Sequence, residues 1–249
     1  MPFPPAGFQE AVITEKHTVN AAVVTVWLSL DTAVPFAPGQ WVDLVVQGID
    51  RAGGYSMTST PGEMQTRRGL GLAVRQGRHP VTQAIHRQLA VGDRVAIRVG
   101  GDCVWRPQQT RPLFLIAGGI GINPMWSIFQ TAAVSDPTRP ITLAYCSKDP
   151  DTTLFAEPIR ALARQNPHHK VSFFFTAPVP EAVQARRREL DEQGIRHEFG
   201  RPSAETWVAL VDEPGAVDTY MCGPPAMIDA LSTTLPDRGF ANLYFEKWW

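Results

Sequence analysis

Residues 113–129 read LFLIAGGIGINPMWSIF: the apolar run LFLIA, then Gly118, Gly119 and Gly121, then Pro124 and a helix-like segment. An unbroken apolar run of this length suits a strand buried on both faces. Glycines after it let the backbone turn tightly and approach a ligand, and exposed N–H groups at a helix start favour an anionic phosphate. Proline suits a first helical turn, where its missing N–H costs nothing. A tight strand-to-helix turn with no ligand is the alternative. The spacing is not Gly-x-Gly-x-x-Gly, because Pro124 takes the place of the last glycine.

Downstream the same style recurs in ITLAYC, VSFFFTA and VDTYMC, most of these runs followed by a helix-like stretch. This predicts a parallel α/β sheet with helices on both sides. A second glycine-bearing strand end appears in YMCGPPAMIDAL, 220–231, where Cys222, Gly223 and Pro224 lead into a helix. In an open parallel sheet, ligands sit beyond the carboxyl ends of the strands where strand order reverses, so two such ends suit two walls of one site. Cys222 is either a buried small hydrophobe or a soft side chain at that crevice. The polar stretch EAVQARRRELDEQG, 181–194, reads as a helix whose RRR run is a solvated face.

Upstream the pattern differs. AVITE, AAVVTVWLSL, WVDLVV, LGLAVR and DRVAIRV are short alternating or β-branched runs, separated by turn signals at Pro35, Pro38–Gly39, Gly53–Gly54 and Pro61–Gly62. They predict an antiparallel barrel with one helix, VTQAIHRQL, 81–89. The polar connector RPQQTRP separates the two styles, giving a barrel domain over 1–107 and an α/β domain over 108–249.

Composition narrows the classes. The chain has 249 residues, 44% of them hydrophobic, and a net charge of -1. Ten basic and eight acidic residues precede Gln108, with 13 and 16 from there on. Neither half has the basic excess that nucleic-acid binding needs. No apolar run reaches membrane-spanning length, and MPFPPAGFQE has neither a charged n-region nor an apolar h-region, which predicts a soluble, cytoplasmic protein. Cys103, Cys146 and Cys222 are odd in number and far apart, against a disulfide framework, a zinc site or an iron–sulfur cluster held by this chain alone. The six histidines form no ligand-spaced pair, and His168 and His169 are expected to be solvated in a polar loop. No metal site is expected.

The segment GGYSMTSTP, 53–61, combines a phenol with a row of hydroxyls. Its succession with AGGIGINP, CGPPAM and the ending FEKWW resembles the ferredoxin–NADP reductase superfamily over almost the whole chain, most closely its oxidoreductase NAD-binding domain-containing branch. The resemblance implies a flavin-binding antiparallel barrel followed by a nicotinamide dinucleotide-binding α/β domain. It assigns Tyr55 to pack beside the isoalloxazine and Ser56 to hydrogen-bond near the reactive nitrogen, with Met57, Thr58 and Ser59 as neighbours. An amphipathic ring and a compact hydroxyl suit a flat polar ligand. Val74 and Arg75 fall in the same cofactor site.

The family's arginine two residues before the tyrosine, which forks onto the flavin phosphate, is replaced by Gly53; Arg51 and Arg75 are the candidate substitutes. The family's Gly-x-x-Ser/Thr is matched by His79, Pro80, Val81 and Thr82, with only the hydroxyl kept, and Thr82 is expected at a helix N-terminus. FAD is the implied cofactor, with FMN left open. Ser147 and Lys148, helped by Arg201, suit the 2′-phosphate of NADPH, while Asp149 and Asp151 oppose it, leaving NADH open as hydride donor. Glu246, Trp248 and Trp249 match a family ending in which a carboxylate precedes an aromatic cover over the flavin, plain core packing being the alternative for the tryptophans. With Ser56, Cys222 and Glu246 as catalytic residues, the implied activity is NAD(P)H-dependent flavoprotein reduction of a separate redox protein, a quinone or a small molecule. A flavin-free nucleotide-binding sensor or partner subunit is the competing reading, and Gly53 favours it.

Overall fold

A computed structural model describes residues 3–178, 191 and 194–247. The chain divides into two compact units, Met1–Arg106 with Trp126–Thr131, and Pro107–Met125 with Ala132–Trp249.

The first unit is a six-stranded antiparallel sheet built from β1 (Gln9–Asn20), β2 (Val23–Ser29), β3 (Trp41–Val45), β4 (Gly53–Ser56), β5 (Gly69–Arg75) and β6 (Arg94–Gly100), in the order β4-β3-β6-β1-β2-β5. Its two edges meet just past β4, where Met57 bridges Leu72 and the Thr58 N–H donates to the Gly71 carbonyl at 2.9 Å, so the sheet closes on itself as the alternating runs predict. Inward residues such as Val26, Leu28, Val42, Leu44, Leu70 and Leu72 fill the interior. Helix α2 (Pro80–Arg87) adds Val81, Ala84 and Ile85 to that core.

Pro61–Gly62 does not make a turn. It opens helix α1 (Pro61–Arg67), capped by Thr60, whose hydroxyl accepts from the Glu63 N–H at 3.1 Å while Glu63 accepts from the Thr60 N–H at 2.9 Å. Thr-x-x-Glu is a capping box with proline at the first helical position, and that signal was present in the sequence.

The second unit is a six-stranded parallel sheet: β7 (Leu113–Gly118), β8 (Ile141–Ser147), β9 (His169–Phe175), β10 (Ile195–Phe199), β11 (Asp218–Gly223) and β12 (Asn242–Lys247), in the order β10-β9-β8-β7-β11-β12. Helices α3 (Ile122–Ser135), α4 (Ala156–Arg164), α5 (Ala204–Val208) and α6 (Pro225–Thr234) accompany it. Alternate residues Phe114, Ile116, Ala144, Cys146, Phe174 and Met221 form one face of the sheet, packed with Trp207 of α5 and Ile228 and Leu231 of α6. The outermost strands β10 and β12 have mixed polar patterns, IRHEF and NLYFEK, because an edge strand is covered less completely; that pattern hides them from a search for apolar runs.

His169 is not solvated. It opens β9, is 2% exposed, and burial lowers its pKa, while His168 stays exposed. The helix expected over 181–194 lies outside the described residues, apart from Asp191 and Gly194. Among the described residues, no helix is long and apolar enough to cross a membrane, and no group of three His, Cys, Asp or Glu side chains could hold a metal ion.

Candidate functional site

Strands β7 to β10 build outward in one direction, and β11 and β12 then add on the other side of β7. Strand order therefore reverses between β7 and β11, the two strands with glycine-bearing carboxyl ends, and this crevice is where an open parallel sheet binds ligands. Ala117 aligns with Cys222 across the pair.

The glycines here do two different jobs. A Cβ on Gly118 would stand 2.8 Å from both Pro224 Cδ and Met227 Sδ, and one on Gly223 would stand 2.5 Å from Met227 Cε. A Cβ on Gly121 would run into the Cys222 carbonyl. These three are required by close packing alone. Gly119 is different: its φ is +55° and nothing lies within 4 Å of a Cβ there. It is the position that presents backbone to open space at the switch point, at the start of the short 3-10 turn Gly119–Gly121 that leads into α3. Pro124 is buried in the first turn of that helix. Pro224 instead holds the cap position just before α6, whose first residue is Pro225.

Glu246 sits on β12 opposite Cys222. Two residues earlier Tyr244 stacks on Tyr220, ring centroids 4.7 Å apart. Cys222 is 1% exposed, and Glu246 is half-buried with a buried Oε2 that has no hydrogen-bond partner among the described residues. Burial without a compensating donor pushes the Glu246 carboxyl up to about 7. A carboxyl in this state holds or yields a proton near neutrality. Trp248 and Trp249 lie outside the described residues.

At the end of β8 the Ser147 hydroxyl is already committed: it shares a 2.6 Å hydrogen bond with Thr153 Oγ1 and donates to the Asp149 carbonyl at 3.3 Å. Asp149 is turned inward as well, its Oδ1 accepting from the Thr152 N–H at 2.9 Å. Lys148, Asp151 and Arg201 are exposed. The structure thus ties down two of the groups expected at the adenosine ribose and leaves Lys148 presented.

In the first unit Tyr55 and Ser56 end β4, pairing with Val42 and Trp41 of β3. Tyr55 is half-buried against the core, and its hydroxyl shares a 2.8 Å hydrogen bond with Thr82 Oγ1. Burial raises the phenol pKa above its ordinary value, the Thr82 bond acting in the opposite sense. Thr82 does not cap α2: it lies inside the first turn, 6% exposed, and His79 holds the cap position without a side-chain bond. Met57 and Val74 are core side chains, so only their backbone groups face outward; the Val74 carbonyl is already 3.0 Å from His86 Nε2. The Thr58 and Ser59 carbonyls accept from Gln130 Nε2 at 3.0 Å and Ser127 Oγ at 2.6 Å. Arg51 and Arg75 are exposed.

Comparison with known proteins agrees with this architecture. Residues 115–233 match the model of the oxidoreductase NAD-binding domain. The chain is 35% identical over 254 residues to oxidoreductase NAD-binding domain-containing protein 1 of Danio rerio, covering 96% of this chain and 89% of that protein. The crystal structure of the Amycolatopsis cytochrome P450 reductase GcoB is similar with a TM-score of 0.79 at 26% identity, over 96% of this chain and 69% of that one. A ferredoxin NADP+ reductase from Neisseria gonorrhoeae, solved with bound FAD and NADP, shares the fold with a TM-score of 0.77 at 18% identity, over 98% of this chain and 99% of that one. A reversed parallel sheet with glycine-bearing ends, an antiparallel sheet closed before it, and near-complete alignment at this identity have one reading: the chain belongs to the oxidoreductase NAD-binding domain-containing protein 1 family, within the ferredoxin reductase-like superfamily of NAD-binding oxidoreductases.

Proposed function

We propose that this chain is a flavin-dependent NAD(P)H oxidoreductase that passes electrons to a separate acceptor, with the flavin unit in residues 1–107, the nicotinamide nucleotide unit in 108–249, and a cytoplasmic site of action. The observation that carries the reading is the switch point of the parallel sheet. Three glycines there are closed by packing, Gly119 is left open, and a buried Glu246 oxygen on the neighbouring edge strand has no hydrogen-bond partner among the described residues. A buried polar atom without a partner costs free energy unless something supplies the bond. A carboxamide N–H of a nicotinamide is a donor of the required kind.

For the flavin the residues present fit one end of the cofactor better than the other. Tyr55 and Ser56 offer a ring and a hydroxyl for the isoalloxazine. The phosphate end has the amino terminus of α2, with Arg75 and Arg78 exposed on the segment leading to it, and lacks a guanidinium at residue 53. When bound, a flavin supplies a two-electron acceptor for the C4 hydride of NAD(P)H and a donor to the next carrier. The chain's part is to hold the rings: Gly119 gives backbone N–H access to phosphate, Tyr55 a flat wall, Ser56 a hydroxyl at the reacting edge, and Glu246 a proton held near neutrality. No side-chain nucleophile is required. Lys148 favours NADPH as donor: its ammonium is exposed and the Asp149 carboxylate is held on the Thr152 N–H, while the exposed Asp151 acts in the opposite sense.

Purified protein decides the matter by its visible spectrum. A yellow protein bleached anaerobically by NADPH or NADH is the expected result. A second reading, a flavin-free nucleotide-binding subunit, is favoured by Gly53 alone, and a colourless protein that resists reconstitution with FAD and FMN would establish it in place of the first.

A further inference from the structure

Gly53 and Tyr55 lie two residues apart on β4 and therefore on the same face of the strand. A Cβ at residue 53 would fall 2.6 Å from the Tyr55 hydroxyl oxygen, 2.7 Å from one ring carbon and 2.9 Å from another, closer than real contacts allow. The phenol thus lies back over the glycine, in the space any other side chain at 53 would take. Its far end is held by Thr82 Oγ1 at 2.8 Å, from a helix in a different part of the chain. Gly54, one residue on, has nothing within 4 Å of a Cβ. The two glycines are adjacent in sequence and opposite in demand.

We propose that Gly53 is a positioning residue for the flavin: by lacking a side chain it lets Tyr55 lie back on β4 and be fixed by Thr82, so residue 53 contributes space to the site where a charge would otherwise stand. This rests on the flavin reading above. It makes the missing arginine a consequence of how the ring is seated, because an arginine at 53 and a tyrosine in this orientation exclude one another. Since the obstructing atoms belong to the end of a rotatable side chain, a substitution at 53 moves Tyr55 and leaves the strand in place. The displaced phenol loses Thr82 and returns toward water.

The test uses the full chain and FAD, followed by quenching of flavin fluorescence. Gly53→Ala is expected to raise the FAD dissociation constant about tenfold, the scale of one hydrogen bond and a displaced ring, while Gly54→Ala stays within about twofold of wild type. Gly53→Arg introduces the arginine that the superfamily resemblance implies at this position and is expected to weaken FAD as well. Gly53→Ala/Tyr55→Ala should bind FAD no worse than Tyr55→Ala, because the glycine acts only through the ring. In ligand-free protein with labelled tyrosine, NMR titration should show the Tyr55 phenol falling toward its ordinary pKa in Gly53→Ala and unchanged in Gly54→Ala. Equal effects of Gly53→Ala and Gly54→Ala, tighter FAD in Gly53→Arg, or additive losses in the double variant would each overturn this role while leaving a flavoprotein. A wild-type chain that takes up no flavin would overturn the flavoprotein reading and this role together.

Discussion

Replacing Glu246 with glutamine should change how stability depends on pH, in a direction the structure fixes. Burial raises the Glu246 carboxyl from an ordinary 4.5 to about 7. At 1.36 kcal/mol per pH unit that rise corresponds to about 3 kcal/mol, trimmed to about 2 kcal/mol because the side chain is partly exposed. Below pH 4.5 the group is protonated in folded and unfolded chains alike and costs nothing. Between 4.5 and about 7 the folded chain keeps a proton that the unfolded chain has lost, so stability falls as pH rises, and above about 7 the whole cost is present. Glutamine has a similar shape and no titration. Parallel urea unfolding of wild type and Glu246→Gln from about pH 5 to about pH 8, without ligand, should therefore show the variant gaining about 2 kcal/mol relative to wild type across that span, any constant offset cancelling. Stability curves that run parallel in pH would refute the buried, uncompensated carboxyl, and with it the claim that this oxygen awaits a ligand.

Other outcomes follow from the same geometry. Gly121→Ala meets backbone atoms of Cys222 and Gly223 and should destabilise by about 2 kcal/mol in denaturant unfolding, whereas Gly119→Ala, strained only by its positive φ, should cost about 1 kcal/mol. Lys148→Ala should raise KM for NADPH about tenfold and leave NADH unchanged in steady-state kinetics, the mark of one lost phosphate contact. Ser56→Ala should slow flavin reduction in stopped flow about tenfold with little change in nicotinamide nucleotide affinity, since the hydroxyl is proposed to lie at the reacting edge. Of the three thiols, burial pushes Cys146 up to about 12 and Cys222 is 1% exposed, so native protein should release about one equivalent with an aromatic disulfide reagent, from Cys103, and three after unfolding.

Much of this protein was readable from its order of residues. Alternating runs announced the closed antiparallel sheet, and apolar runs ending in glycine announced β7 and β11, because strand burial and backbone reversal are local demands that leave local signatures. Weaker signals were lost: β10 and β12 are edge strands with mixed composition, and the capping box of α1 was hidden behind a proline–glycine pair. Tertiary structure alone decided what depends on who stands nearby. Thr82, expected at a helix N-terminus, stands there with its hydroxyl bonded to Tyr55; Ser147 is spent on Thr153; and of four glycines at the switch point, three are filled by neighbours and Gly119 is open. The vacancy at residue 53 reads as a missing arginine in the sequence and as room for a tyrosine in the fold, since excluded volume is a property of atoms brought together across the chain and is written in no single segment of it.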